Sequence, residues 1–333
     1  MANYNRAMPR HPSLPPAMHR AAFITCLIAS ISAIEASAAT FTVEKTDRGV
    51  TVKIDGQLFT EYLIKSGVKP ILWPIIGPTG KPMTRSWPMD KNAGDKTHDH
   101  PHQRSLWFDH GSVNGVSFWE ETAKAGSIRH REFVEVRGGD EAKIVTRNDW
   151  ITPAGAKLCE DERAFRFHLD GDQRLIDFHV TVTASEGPLT FGDTKEGSFG
   201  MRVAESMTVD AKKGGQIVTS EGLTDTSAWG QPAAWVDYHG PIDGETVGIA
   251  ILDHPQSFRF PNRWHVRPYG LFAANPFGKK EFEATSGGGG PYTLDQGKSL
   301  SLDYRVILHR GDEKAAHIAE AFATYAKEKL DGR

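Results

Sequence analysis

Four histidines, His98, His100, His102 and His110, fall within one stretch, THDHPHQRSLWFDHGSVNGVSFW, beside Arg104, Trp107 and Trp119. Imidazole ligates metals, moves protons near neutral pH and anchors polar walls. Two other stretches carry groups that could partner these rings. TFGDTKEGSFGMRVAE holds Asp193, Lys195, Glu196 and Arg202 between glycines, which let backbone approach a ligand closely. DHPQSFRFPNRWHVRPYGLFAANPFG holds His254, Arg263, His265, Arg267 and Asn275. Between them, AWGQPAAWVDYHG offers Trp229 and Trp235. Any one stretch also reads as a solvated loop or as satisfied structural polar groups. Three of one character in a chain of alternating strands point to a shared pocket.

Two chemistries compete for that pocket. His-x-His-x-His suits a first-row metal, zinc or iron, with Asp193, Glu196 or His265 completing a triad from another segment. No carboxylate lies between Pro101 and Arg104 to complete a cupin-type set, and the neighbouring arginines oppose a cation. We therefore assign no metal, and no cofactor is indicated. Proton transfer is the second chemistry. His102 or His265 opposite Asp193 or Glu196 makes an acid/base set that can open, epimerise or eliminate across a sugar carbon. Lys195, Arg202, Arg104 and Arg267 would hold oxyanions or a carboxylate. His100, His254, Asn275 and Trp235 complete the expected ligand-binding set, Trp235 by stacking on a pyranose face. For at least one of Trp229 and Trp235, a plain core aromatic is the simpler reading. A carboxylate pair for glycoside hydrolysis is less visible. Nucleophile-elbow, phosphate-loop and dinucleotide fingerprints are absent.

The elements that must position these groups read as β-strands. Alternating runs flank Asp47-Arg48-Gly49, Gly138-Gly139-Asp140 and Asp170-Gly171-Asp172, each a hairpin signal. In LIDFHVTV, Ile176, Phe178, Val180 and Val182 share one face. TVGIAILD, SLSLDYRVILH and parts of 258–275 follow as strands. Read as extended chain, His98, His100, His102 and Arg104 share a side, with Pro101 confining the segment to an edge or loop. The exception is DEKAAHIAEAFATYAKEKL, where Ile318, Ala319, Phe322 and Tyr325 recur at helical spacing behind Asp312 as N-cap. We expect an all-β fold, a large antiparallel sandwich of two broad sheets, with one C-terminal helix over 312–330.

The 333 residues are 39% hydrophobic and 24% charged, ordinary for a globular protein. Arg20, the apolar run AAFITCLIASISAI and the small residues of EASAA predict a signal peptide over residues 1–39, with Met18 as the alternative true start, cleaved near Ala38 or Ala39. Residues 40–333 then form a single domain, periplasmic or secreted. Loss of Arg6, Arg10, Arg20 and Glu35 moves the net charge from −3 to −5, which speaks against nucleic acid as a partner. The expected ligand is a small molecule or glycan. No other run approaches transmembrane length, and Cys159 remains without a disulfide partner.

Read together, DHPHQRSLWFDHGSVNGVSFW, FGDTKEGSFGMRVAE, AWGQPAAWVDYHG, VGIAILDHP, WHVRPYGLFAANPFG and LDYRVILHRGD resemble the PmoA-like domain family, over roughly residues 41–311. The family usually reads His-His-Arg-Gly where Gln103, Arg104 and Ser105 stand, and often Asn at Ser257; a role needing an imidazole at 103 is absent. The label's literal meaning, a methane oxygenase, conflicts with a chain lacking a membrane span after its leader. The resemblance implies an often exported bacterial domain without a settled activity. Its pattern is similar to the galactose-mutarotase-like supersandwich of aldose-epimerase-like and carbohydrate-active proteins. Three functions follow: an exported enzyme acting on a sugar or sugar derivative (epimerase, lyase or hydrolase type), a non-catalytic carbohydrate-binding accessory protein, or a metal-dependent oxygenase.

Overall fold

The computed structural model describes residues 1–3, 7–10, 12–13, 39–282 and 289–330. Most of the expected signal sequence, residues 14–38 included, lies outside them. Ala38–Arg333 cluster as one compact unit, and the elements below belong to it. In chain order the strands are β1 (Phe41–Thr46), β2 (Gly49–Ile54), β3 (Gln57–Ser66), β4 (Lys69–Ile75), β5 (Leu106–His110), β6 (Ser127–Arg137), β7 (Ala142–Ile151), β8 (Lys157–Asp170) and β9 (Gln173–Thr183). Then come β10 (Leu189–Phe191), β11 (Gly197–Arg202), β12 (Gln216–Thr219), β13 (Trp235–Ile242), β14 (Glu245–Asp253), β15 (Arg263–Val266), β16 (Leu271–Asn275), β17 (Tyr292–Leu294) and β18 (Ser299–Arg310). Two helices, α1 (Lys279–Phe282) and α2 (Ile318–Tyr325), complete the set with short 3-10 turns.

Two antiparallel eight-stranded sheets make the sandwich. The first runs β1-β2-β3-β4-β5-β11-β16-β15, the second β12-β13-β14-β18-β9-β8-β7-β6, and β10-β17 form a small ribbon. All three hairpin turns fall where the sequence places them, joining β1 to β2, β6 to β7 and β8 to β9. Alternation decides the faces. Ile176, Phe178, Val180 and Val182 of β9 point inward and are buried, as are Phe108, Phe199 and Phe272 of the first sheet. Phe178 stacks on Phe199 at 4.6 Å, and Phe199 on Tyr304 at 4.9 Å, so aromatic layers bridge the sheets. TVGIAILD reads as a continuous apolar run because β14 is covered on both sides. Ile249 and Ile251 face the main core, while Ala250 and Leu252 pack with Ile318 and Tyr325 of α2.

Two local expectations are corrected. The C-terminal helix covers only Ile318–Tyr325, not 312–330. Asp312 does cap a turn, accepting from Ala315 N at 2.8 Å, but His317 then adopts φ +54°, a left-handed backbone that separates this turn from α2. Residues 97–104 form a loop rather than an extended row; His100 has φ +46°, so the period-two alternation of side chains breaks there.

The outer edge of the first sheet, β15, does not face solvent bare. Residues 230–233 run along it: Gly230 N donates to Trp264 O at 2.8 Å and Ala233 N to Asn262 O at 3.2 Å. Pro232 bridges Arg263 between them, and Trp264 Nε1 donates to Ala233 O at 2.9 Å.

Candidate functional site

The outer face of the first sheet carries a second, smaller apolar layer of Leu63, Ile71, Trp107, Trp119, Leu271 and Ala273. Register explains its shape. His265 of β15 lies opposite Ala273, Ala273 opposite Gly200, Gly200 opposite Trp107 and Trp107 opposite Ile71. Small residues at the centre of this row leave room for large rings. A Cβ on Gly200 would sit 2.6 Å from the Trp107 ring, so only glycine admits that ring at its observed depth. Trp119, from the loop after β5, meets Trp107 edge-on at 5.4 Å and lies nearly parallel to His265 at 6.3 Å. Beneath the tryptophans, Lys69 Nζ donates to Asp109 Oδ2 at 2.5 Å, with both side chains fully buried. Burial pushes the Asp109 carboxyl up to about 6 against the opposing pull of Lys69.

A depression of about 400 Å³ opens above this floor. Its walls bring together His100, His102, Lys195, Glu196, His265 and Arg267, with Gln103, Trp119, Glu120 and Tyr269. All three sequence stretches thus contribute to one surface. His265 Nδ1 donates to Lys195 O at 2.9 Å, which leaves Nε2 as the acceptor of the neutral ring. Burial, then the Arg267 charge, lowers His265 to about 3. Burial also lowers His102 to about 3, helped by Lys69, His100, Arg85 and Arg202. Both rings are therefore neutral at pH 7. Glu196 moves the other way: burial, seconded by Glu281 and Glu120, raises its carboxyl in spite of Lys195 Nζ at 3.4 Å. Lys195 itself is shared with Glu281, whose Oε1 accepts at 2.8 Å.

A charged hub that the sequence did not single out holds the loop wall. Asp99 accepts from Arg85 Nη1 at 2.6 Å, Arg202 Nη2 at 2.9 Å and His100 Nδ1 at 2.8 Å. Burial opposes the Asp99 charge, but Arg202, His100 and Arg85 hold its carboxyl below the usual range. Tyr269 stacks on His100 at 5.1 Å, and the Arg202 guanidinium lies 4.6 Å from the centre of the Tyr269 ring. Arg202, buried and bonded also to Gln103 Oε1, is a support beneath the wall, not one of its lining groups.

Other expected site residues are placed elsewhere, each by a partner that occupies it. Asp193 accepts from Lys280 N at 2.9 Å and Gly290 N at 2.6 Å, so its carboxylate organises a loop and is not opposite His102. Arg104 makes a two-point pair with Glu121 at 2.6 and 2.7 Å. Trp235 packs beneath α2 in the cluster of Ile318 and Tyr325. His254 is fully buried and meets Tyr325 O through Nε2 at 3.1 Å. Asn275 closes a turn, accepting from Phe277 N at 2.8 Å and donating to Thr194 O at 2.9 Å. The His98–His100–His102 row does not form: His98 stacks on Trp87 at 5.2 Å and meets Asp95 O at 3.0 Å. Among the described residues, the group with metal-ligand spacing is Asp237, His239 and Glu313, away from these histidines. Glu120, Trp119 and Tyr269 were passed over as site residues. For Trp119-Glu120 the available signal was a tryptophan-acid pair closing the histidine-rich stretch.

The fold and the depression define an antiparallel β-sandwich with a polar, aromatic-floored pocket on one outer face. Residues 49–323 match the profile of DUF6807, a family of unknown function, and the chain belongs to that family. This corrects the expected membership in the PmoA-like family, for which no match is found. No curated protein matches the sequence. Among solved structures, the chain is similar to the GH36 alpha-galactosidase AgaB from Geobacillus stearothermophilus, at 10% identity and TM-score 0.37, covering 83% of this chain and 39% of that one. It is similar to a glycoside hydrolase family 97 enzyme from Pseudoalteromonas sp. strain K8, at 12% identity and TM-score 0.34, covering 82% and 34%. A galactose mutarotase related enzyme from Lactobacillus acidophilus aligns over 81% of this chain and 95% of its own, at 11% identity and TM-score 0.28. The chain thus spans between a third and two fifths of the first two enzymes. No helix among the described residues is long and apolar enough to cross a membrane.

Proposed function

We propose that the protein acts on a sugar or sugar derivative, and that the depression above Trp107 and Trp119 is its active site. The observation that carries this reading is the meeting of His102, His265 and Glu196 around one cavity of about 400 Å³, with Lys195 and Arg267 beside them. Of the aromatic rings that line the depression, Trp119 is buried and forms floor, while Tyr269 is half-buried at the wall and offers aromatic surface of the kind that packs on a pyranose. Arg267, at the wall of the depression beside His265, suits an anionic substituent such as a sugar carboxylate.

Glu196 is the group with the burial and charge balance of a proton carrier. Burial raises its carboxyl above the ordinary value, the direction that suits a general acid or base. His102 and His265, the first choices from the sequence for proton transfer, take a different part. Neutral at pH 7, they accept or donate hydrogen bonds to hydroxyls and fix which carbon faces Glu196. The reaction class is epimerase, lyase or hydrolase. Kinetics of Glu196→Gln, His102→Gln and His265→Gln on a panel of neutral and uronic saccharides test it. The expectation is loss of turnover by about 10²–10⁴-fold in Glu196→Gln with ligand affinity retained. Wild-type turnover unaffected by Glu196→Gln would sink the assignment.

One observation favours a second reading, a carbohydrate-binding accessory protein. Two imidazoles lowered to about 3 are poor proton carriers and good neutral hydrogen-bonding partners. Binding to a glycan panel without turnover of any member supports it. Export is proposed from the N-terminal pattern. N-terminal sequencing of protein from the cell envelope should find a start near Ala39 or Thr40, and intact residues 1–39 in the cytoplasm would contradict it.

A further inference from the structure

The outer face of the second sheet holds a cluster unrelated to the depression above Trp107. His239 of β13 lies opposite Gly248 of β14, and Gly248 opposite His309 of β18. A Cβ on Gly248 would fall 2.1 Å from His309 Cε1, so the glycine lets the His309 ring lie across the intervening strand. That ring reaches Asp237, its Nε2 donating to Oδ2 at 2.6 Å, while Nδ1 meets Arg310 O at 3.2 Å. Both nitrogens are thereby held. The other carboxylate oxygen, Asp237 Oδ1, accepts from His239 Nδ1 at 2.7 Å. Glu313, from the turn before α2, brings Oε2 to 3.7 Å from the same Nδ1.

Asp237, His239 and Glu313 each present a donor atom within 4.8 Å of the others. The Asp237 and His309 side chains are fully buried, and His239 and Glu313 nearly so. Asp237, Glu313 and Asp312 all act on His239, His309 faces Asp237 from the other side, and Lys314 lies 3.8 Å from Glu313 on a side chain left 87% exposed. Glu313 also borders a depression of about 500 Å³ beside Trp235, which gives an ion a route in and leaves room for water as a further ligand.

We propose that Asp237 Oδ1, His239 Nδ1 and Glu313 Oε2 bind a divalent first-row transition ion of the zinc type. An imidazole with two carboxylates favours such an ion over calcium or magnesium, which prefer all-oxygen sets. His309 is a positioning residue: it orients Asp237 from behind through the outer-shell hydrogen bond that ligating carboxylates commonly have. Binding replaces the proton on His239 Nδ1 with the ion and releases that proton to solvent. Ligands about 2.0–2.2 Å from a tetrahedral ion stand about 3.3 Å apart, so His239 and Asp237 separate by roughly half an ångström on loading. The ion would tie β13 to the turn that leads into α2.

The test uses the full-length protein stripped with chelator and titrated with zinc or cobalt chloride alone. Calorimetry and elemental analysis should give one equivalent per chain, and cobalt should show tetrahedral visible absorption. The melting temperature should rise with metal concentration. Glu313→Gln, on a side chain at the rim that leaves the core untouched, and His239→Gln should each weaken binding by at least about tenfold, and His309→Gln by about 10–100-fold with stoichiometry unchanged. Wild-type protein that binds neither ion at 100 micromolar free metal, a concentration well above the range of structural zinc sites, overturns the proposal. So does binding that survives His239→Gln and Glu313→Gln together.

Discussion

Replacing Lys69 by Met strips the counter-ion from Asp109 beneath the floor of the candidate site. Both side chains are fully buried, with Nζ 2.5 Å from Oδ2. Removing one member of a buried pair costs about 3–5 kcal/mol, because the other charge is left uncompensated. Asp109 has an escape, since it can take up a proton. Protonating an ordinary carboxyl of pKa about 3.9 costs about 1.4 kcal/mol for each pH unit above that value. Because the wild-type folded carboxyl is itself protonated below about pH 6, the Asp109 share of the loss in Lys69→Met is small at pH 5 and limited to about 1.4 kcal/mol at pH 7, one unit above that pKa. The sign follows from a raised carboxyl. Wild-type stability from this group is fully present below about pH 4 and falls until pH reaches about 6, its folded pKa. In Lys69→Met that pKa rises further, so the fall continues past pH 6 and the two proteins diverge. Asp109→Asn strands the Lys69 charge; it should lose about 3–5 kcal/mol at pH 7 and less at pH 5, where wild-type Asp109 is itself largely protonated. Lys69→Met/Asp109→Leu should return to within about 1 kcal/mol of wild type. Urea denaturation of the four proteins at pH 5 and pH 7 measures these differences. Equal losses for Lys69→Met at both pH values, or a double variant worse than either single one, would refute the reasoning.

Gly200→Val should destabilise by about 1–3 kcal/mol through overpacking against Trp107, read as a lower melting temperature, and should weaken ligand binding with it. Arg305→Met removes both short bonds to Asp177, at 2.6 and 3.0 Å, and should cost about 3 kcal/mol in chemical denaturation. Burial opposes the Asp177 charge but His168 and Arg305 hold it well below the usual range, so its stabilisation is present above about pH 4 and lost as pH falls; Arg305→Met should show a shallower acid limb. Ligand affinity should carry no titration from His102 or His265 between pH 5 and pH 8, since both rings stay neutral until pH approaches about 3; calorimetry across that range checks it.

Strand positions were legible because turns and alternation are local. Asp47-Arg48-Gly49 and Asp170-Gly171-Asp172 each need only their own backbone to turn, and Ile176, Phe178, Val180 and Val182 need only the pleat to share a face. The C-terminal helix was legible as an apolar stripe, but its start was not, because the left-handed backbone at His317 has no apolar periodicity to betray it. In the candidate site, the gathering of His102, Glu196 and His265 was legible from composition. The fate of individual charges was not. Glu121 engages Arg104, and the amides of Lys280 and Gly290 engage Asp193, through pairings that depend on how loops close. Strict alternation puts Asp99 on the side away from His98, His100 and His102, and the left-handed backbone at His100 interrupts that alternation. Asp237 and His239 show the converse: two residues apart on one strand, they share a face by simple parity, yet Glu313 lies far along the chain and completes the cluster only in three dimensions.

The segment 230–233 that covers β15 bears on how the protein behaves in company. An open sheet edge is a template on which another chain can add a strand, and β15 is the edge that carries His265. Gly230 and Ala233 occupy hydrogen-bonding groups of that edge, and Pro232 offers no N–H with which to continue the ladder outward. The strand bearing a candidate ligand-contacting group is thus sealed against strand exchange between molecules. Loosening this strip, for example by Pro232→Val, would convert a change outside the pocket into a colloidal defect: concentration-dependent assembly that occludes His265 before the fold itself is lost.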